Sequence, residues 1–366
     1  MKPSLSRGKS GRRTAATRSL TYNVGFTLGR QVFTAGIQIL TVVVIARFLG
    51  PEGNGLYAIC ILIPTFLSTL LNLGIPAANV YFLGRGDVAT RDALRSNLRF
   101  WTLLSILGLS TSILGLFLFS RNFFPDVPST LLFFALAAFP PTLLQAFLVS
   151  LLQGLQDFRR FNTGLMAGPV STLVLILIAL VWMDSGVFGA LSAFIAGQIF
   201  SLLVTYMLLV RSGELSAFNG MLSSPAPYDR RSISYGWKAH LGNILAFLNY
   251  RADILLLNFF LGPSSTGIYV IAVQVVERLW MLSTSVSTVV LPRLAEDYKG
   301  NLSQNTLTPR ISRLVLMTTG LSSFALAFLA FPLIPLLFGI EYIDAILPLL
   351  ALLPGIVFVS FSRVLA

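Results

Sequence analysis

The chain has 366 residues, 55% of them hydrophobic and only 11% charged, with a formal net charge of +12. A soluble domain carries about 25% charged residues, so this composition excludes a water-soluble globule and points to a chain covered by lipid. A lone cysteine, Cys60, and a lone histidine, His240, exclude an internal disulfide and leave too few soft ligands for a zinc or iron centre.

Residues 1–21 form a basic polar tail with Lys2, Arg7, Lys9, Arg12, Arg13 and Arg18. The apolar run behind it is over 20 residues long and lacks an Ala-x-Ala cleavage pattern, so it reads as a membrane helix rather than a cleaved signal. Ten apolar runs are long enough to cross about 30 Å of hydrocarbon. They lie near 22–48, 55–80, 99–119, 129–152, 163–183, 187–210, 236–260, 264–290, 311–338 and 344–362. Met183-Asp184-Ser185-Gly186 makes a tight turn between the fifth and sixth. The longest connection, 211–235, contains Ser223-Ser224-Pro225-Ala226-Pro227 and reads as a linker between a first lobe, 22–210, and a second, 236–366. An all-α integral membrane protein of two lobes is expected.

Basic residues set the orientation. Counted along these runs, 21 of the 26 fall in the tail, in the even-numbered connections and behind the last helix. The opposite side has Arg121 as its one basic residue, with Glu52, Asp126, Asp184, Glu341 and Asp344. The positive-inside rule then places the N-terminus in the cytoplasm of a cell with its chain in the cytoplasmic membrane. The positive charge becomes a fringe facing anionic membrane lipids rather than a nucleic-acid surface.

One segment repeats. Phe48-Leu49-Gly50-Pro51-Glu52-Gly53-Asn54-Gly55-Leu56-Tyr57 returns as Phe260-Leu261-Gly262-Pro263-Ser264-Ser265-Thr266-Gly267-Ile268-Tyr269. Gly50, Pro51, Gly55 and Tyr57 thus correspond to Gly262, Pro263, Gly267 and Tyr269. Six helices lie between the copies, so both halves enter the membrane in the same direction. That is a parallel repeat about an axis along the membrane normal. The first lobe spends six helices and the second only four, so the second lobe reads as incomplete, or the chain as a short member of its kind.

Several segments together resemble the polysaccharide and lipid-linked oligosaccharide flippases of the multidrug/oligosaccharidyl-lipid/polysaccharide exporter superfamily. These are Ala46-Arg47-Phe48-Leu49-Gly50-Pro51 with Gly55-Leu56-Tyr57, Ala239-His240-Leu241-Gly242-Asn243, Asn249-Tyr250-Arg251-Ala252-Asp253, Glu277-Arg278-Leu279-Trp280 and Pro292-Arg293-Leu294-Ala295. The resemblance covers nearly the whole chain and is densest at 20–85 and 232–297. It implies outward flipping of polyprenyl-diphosphate-linked glycans by alternating access, alongside a polysaccharide polymerase and glycosyltransferases. The other member of that superfamily to weigh is an ion-coupled multidrug exporter.

Six charged residues fall inside the runs: Arg30, Arg47, Arg251, Asp253, Glu277 and Arg278. Charge in the membrane interior costs several kcal/mol, so each is a candidate functional group. On the first helix Asn23, Thr27, Arg30, Thr34, Gln38 and Thr41 fall within about 80° of one another and climb about 27 Å. Arg30 can hold a diphosphate through its fork, or hydrogen-bond structurally to neighbouring helices. His240, Asn243, Tyr250 and Arg251 share a face of the seventh helix. Residues two apart on a helix point about 200° apart, so Arg251 and Asp253 each call for a partner elsewhere. Asp253, Glu277 and Arg278 serve either ion coupling or structure. No nucleophile elbow, phosphate loop or metal cluster is present, so neither an enzyme nor a cofactor is expected. With basic groups outnumbering acids four to two, an anionic substrate is favoured over a cationic drug.

Overall fold

The computed structural model describes residues 7–213, 227–297 and 304–365, and every regular element among them is helical. In chain order these are α1 (Arg7–Leu71), α2 (Ile75–Gly84), α3 (Thr90–Phe123), α4 (Ser129–Ala135), α5 (Phe139–Gly154), α6 (Phe158–Ile176), α7 (Gly186–Val210), α8 (Pro227–Asp297), α9 (Gln304–Phe338) and α10 (Ile346–Leu365). Lipid offers the backbone no hydrogen bonds, and a helix satisfies its interior amides without help.

Eight of the described helical stretches are long and apolar enough to cross a membrane. Two of them, Gly25–Leu71 with 47 residues and His240–Leu279 with 40, are about twice the 20 residues that one crossing needs. Each is broken at a single glycine. Gly50 has φ 64° and ψ −176°, and Gly262 has φ 76° and ψ −179°. Only a residue without Cβ adopts this backbone freely, and the proline that follows has no amide to continue the ladder. Beyond Gly262 the second arm of α8 folds back on the first, bringing Glu277 to Arg251 and Tyr269 to Asp253. The ten apolar runs of the sequence therefore meet eight membrane-length helices, two of them doubled at a glycine.

Two boundaries differ from the sequence reading. The run expected over 55–80 is interrupted where Leu73 and Gly74 turn left-handed. There Asn72 Oδ1 accepts the Gly74 amide at 2.9 Å, ending α1 and opening α2. The linker expected over 211–235 is shorter, because α8 begins at Pro227. Residues 214–226, the rest of that linker with most of its Ser-Ser-Pro stretch, lie outside the described residues.

The helices pack as two lobes. The core of the first joins Tyr57, Ile59 and Leu62 of α1 to Leu132, Ile176 and Leu191, and it also takes Ile254 and Val270 from α8. The core of the second joins Ile271, Val276, Ile334 and Leu349, and it takes Ala46 from α1. Each lobe's broken helix thus reaches into the other's core. Within the first lobe α6 and α7 approach closely through small residues: a Cβ on Gly164 would press on Thr205, and one on Gly168 on Ser201. Gln145 Nε2 of α5 donates to both Ser201 Oγ and Thr205 Oγ1 at 2.9 Å. Close backbones and interhelical hydrogen bonds replace the hydrophobic force that lipid cannot supply.

Candidate functional site

Arg251 stands on the first arm of α8, and its guanidinium grips Glu277 of the second arm with both ends. Nη1 lies 2.8 Å from Oε1 and Nη2 lies 3.3 Å from Oε2. The pair keeps an open side, with the two side chains 32% and 28% exposed. Asp253, pointing away from Arg251, accepts a hydrogen bond from Tyr269 Oη at 2.6 Å. Arg251 and Asp253 each find a partner across the hairpin, as residues two apart on one helix must. Beside Glu277, Arg278 reaches the other lobe and donates from Nη1 to Gln38 Oε1 of α1 at 2.9 Å.

Arg30 lies lower on the same face of α1, half-buried, with its Nε enclosed and lacking a hydrogen-bond partner among the described residues. One turn on, the Thr34 hydroxyl is buried in the same condition. One turn before, Thr27 Oγ1 accepts from Asn162 Nδ2 of α6 at 3.1 Å. The polar stripe of α1 therefore meets α6 of its own lobe near Thr27 and the second lobe at Gln38. Tyr250 is half-buried beside Arg251, and Asn243 is exposed. His240 is buried and donates from Nε2 to the Leu70 carbonyl at 3.0 Å, which ties α8 to the end of α1. Chemically, this assembly offers forked cations lined along two helices, with one carboxylate already seated in a fork. A guanidinium binds phosphate oxygens in the same two-point way.

The repeat turns meet each other. A side chain on Gly55 would strike the Pro263 carbonyl, and one on Gly267 the Pro51 carbonyl. Asn54 Nδ2 donates to the Gly267 carbonyl at 2.9 Å. The acidic residues at this end cross over in the same reciprocal fashion. Glu341 of the second lobe sits against Gly50 of the first, and Asp126 of the first against Gly262 of the second. Tyr342 Oη donates to the Ala46 carbonyl at 3.3 Å. Arg47 of α1 donates through Nε to Leu337 O at 2.9 Å and through Nη2 to Leu336 O, capping α9 rather than only reaching for the membrane surface. Matching backbone conformations at Gly50 and Gly262 and exchanged contacts are what a two-fold relation between the halves requires. Together they shut the assembly at the end carrying the Gly-Pro turns.

The other end is tied by residues that the sequence pattern assigns to a linker. Tyr228 is buried and donates to Asn79 Oδ1 at 2.8 Å. Asn79 Nδ2 in turn reaches Ser150 Oγ at 2.7 Å and Asn97 Oδ1 at 3.3 Å. Asp229 pairs with Arg99 at 2.8 Å, Tyr235 stacks on Tyr81 at 4.4 Å between ring centroids, and Arg231 lies 4.7 Å over the Phe82 ring. Gly74 and Gly236 touch backbone to backbone. Three aromatic or charged residues at helical spacing, Tyr228, Arg231 and Tyr235, were the available signal for this docking helix. No cluster of three or more His, Cys, Asp or Glu suited to a metal occurs among the described residues.

Residues 20–297 match the model of a family described as polysaccharide biosynthesis protein. Among solved structures, the lipid II flippase MurJ in an inward closed conformation aligns with a TM-score of 0.71 at 16% identity, covering 93% of this chain and 74% of that one. An inward-facing multidrug resistance MATE family transporter of the MOP superfamily aligns with a TM-score of 0.61 at 17% identity, covering 90% and 79%. A MATE transporter from Vibrio cholerae aligns at 0.59 and 14% identity, covering 96% and 85%. No curated protein matches the chain in sequence. At these identities the likeness shows the fold alone: a bundle of membrane-length helices arranged as in these transporters.

Proposed function

Because the chain belongs to the polysaccharide biosynthesis protein family, we propose that it flips polyprenyl-diphosphate-linked oligosaccharides across the cytoplasmic membrane for cell-surface polysaccharide assembly. The observation that carries this reading is Arg30, a cation on an interior helix face whose Nε lacks a partner among the described residues. Arg251 and Arg278 add two more cations against the single carboxylate of Glu277 beside them. Such a surplus of forked cations calls for a multiply charged anion with oxygens to accept them, which a diphosphate supplies. Arginine in hydrocarbon is costly enough that a surplus points to use. In this reading the N-terminus is cytoplasmic, no covalent step occurs, and a polymerase and glycosyltransferases act on either side of the transport step.

Export of drugs coupled to an ion is the second reading, supported by the likeness to multidrug resistance transporters and by Asp253 and Glu277. The excess of basic groups favours the glycan. Complementation of glycan export, with immunoblots for protein level, separates the two. Arg30→Ala is expected to abolish export while the protein stays inserted, and Arg30→Lys to restore part of it, since lysine has charge without the fork. Full export by Arg30→Ala would overturn the diphosphate reading.

A further inference from the structure

We infer that Glu277 is a displaceable counter-ion: it occupies the Arg251 fork when the site is empty, and the substrate's diphosphate takes its place. This rests on the diphosphate reading and assigns a further residue to it. Four observations combine. The carboxylate holds the fork at 2.8 and 3.3 Å, the two-point geometry in which a guanidinium also takes phosphate oxygens. Both side chains keep about a third of their surface open, so an incoming anion can reach the pair. The pair closes within one hairpin, between the two arms of α8 joined at Gly262. Relative motion of the lobes therefore need not break it, whereas a competing anion can. Finally, Arg278 follows Glu277 directly, about 100° round the helix, and is engaged with Gln38 of α1. A carboxylate released from Arg251 has that second guanidinium as its neighbour on the same arm.

The physical need is plain. A transporter must return empty, and a bare arginine in a low-dielectric interior is strongly destabilising. A resident carboxylate removes that cost in the empty state. In the loaded state it competes for the same nitrogens, so the diphosphate is held loosely enough to leave. Glu277 thus trades affinity for turnover.

The test uses the full chain purified in detergent, with farnesyl diphosphate and inorganic pyrophosphate as probes and isothermal titration as the readout. Glu277→Gln keeps an oxygen for one guanidinium N–H but loses the charge. It is expected to bind farnesyl diphosphate about tenfold tighter or more, while glycan export in cells falls. Glu277→Asp retains the charge on a shorter stem and is expected to lie between, which keeps the inference testable where Glu277→Gln folds poorly. Arg251→Ala added to Glu277→Gln is expected to erase the gain. Wild-type binding with no tightening in either variant overturns the counter-ion role and leaves the flippase reading standing. If no variant binds either probe and Arg30→Ala exports normally, the diphosphate reading itself fails and the inference with it.

Discussion

Gly55 and Gly267 pack backbone against backbone, each where a side chain would collide with the proline carbonyl of the other's turn. Gly55→Ala and Gly267→Ala are therefore expected to force the lobes apart at this end. Overpacking of this kind costs about 1–3 kcal/mol, and by the two-fold relation the two variants should behave alike. Gly36, with nothing within 4 Å of its added Cβ, supplies the control: Gly36→Ala should be neutral or stabilising by about 0.5–1 kcal/mol. Thermal-shift midpoints and accessibility of a cysteine placed at Asn54 are the measurements. Unchanged midpoints and accessibility in both turn variants would contradict the close approach.

Orientation is checked by tags. Reporters after residues 18, 90 and 157 are expected to read cytoplasm, and reporters near 124 and 342 the outside, following the basic residues. A reporter at 90 found outside would invert every later helix and undo the proposed topology.

The docking of Tyr228 gives a pH prediction. Burial raises its phenol above the ordinary value, with Arg231 pulling weakly the other way. A group whose folded pKa is raised stabilises the fold at every pH below its unfolded pKa, about 10, and loses that contribution as pH climbs past it. Thermal stability should therefore be insensitive to this group between pH 6 and 9 and decline above about pH 10. Tyr228→Phe should cost about 1–3 kcal/mol at neutral pH, since Asn79 Oδ1 loses this donor. It should also flatten the alkaline decline. An identical alkaline decline in Tyr228→Phe would place its cause elsewhere.

Arg99 and Asp229 test the same docking electrostatically. Either single reversal, Arg99→Asp or Asp229→Arg, is expected to lower protein level by juxtaposing like charges. The double reversal is expected to recover most of it, because the 2.8 Å pair is rebuilt. A double variant no better than the singles would show that the pair contributes nothing.

Much of this architecture was legible in the sequence because membrane helices are written as long apolar runs and the turns as Gly-Pro. The 212-residue recurrence of Gly50-Pro51 at Gly262-Pro263 announced a two-fold design. Helical geometry alone required Arg251 and Asp253 to look in different directions. What stayed illegible was the third dimension. Nothing in the order of residues says that Glu277 is the partner Arg251 finds, since the hairpin decides which side chains fall opposite. Arg47 reads as one more charge inside an apolar run, yet its partners are carbonyls of α9, a backbone feature that no composition reports. Residues 227–235 carry Pro, Asp, Arg and Ser, the composition of a loop. They are helical because Tyr228 has a core in the first lobe to bury in and Tyr235 has the Tyr81 ring to stack on, and tertiary packing overrides local preference.

The Tyr228–Asn79 bond spans 149 positions of sequence and carries a consequence for synthesis. A ribosome makes the first lobe to its end at Val210 before Tyr228 exists. Until then Asn79 has Ser150 and Asn97 on its amide nitrogen but lacks the phenol that completes its oxygen. The face formed by Tyr81 and Phe82 is likewise bare until Arg231 and Tyr235 arrive. The nascent first lobe is thus born with an unfinished wall, and the opening turns of the second lobe are its last course of bricks.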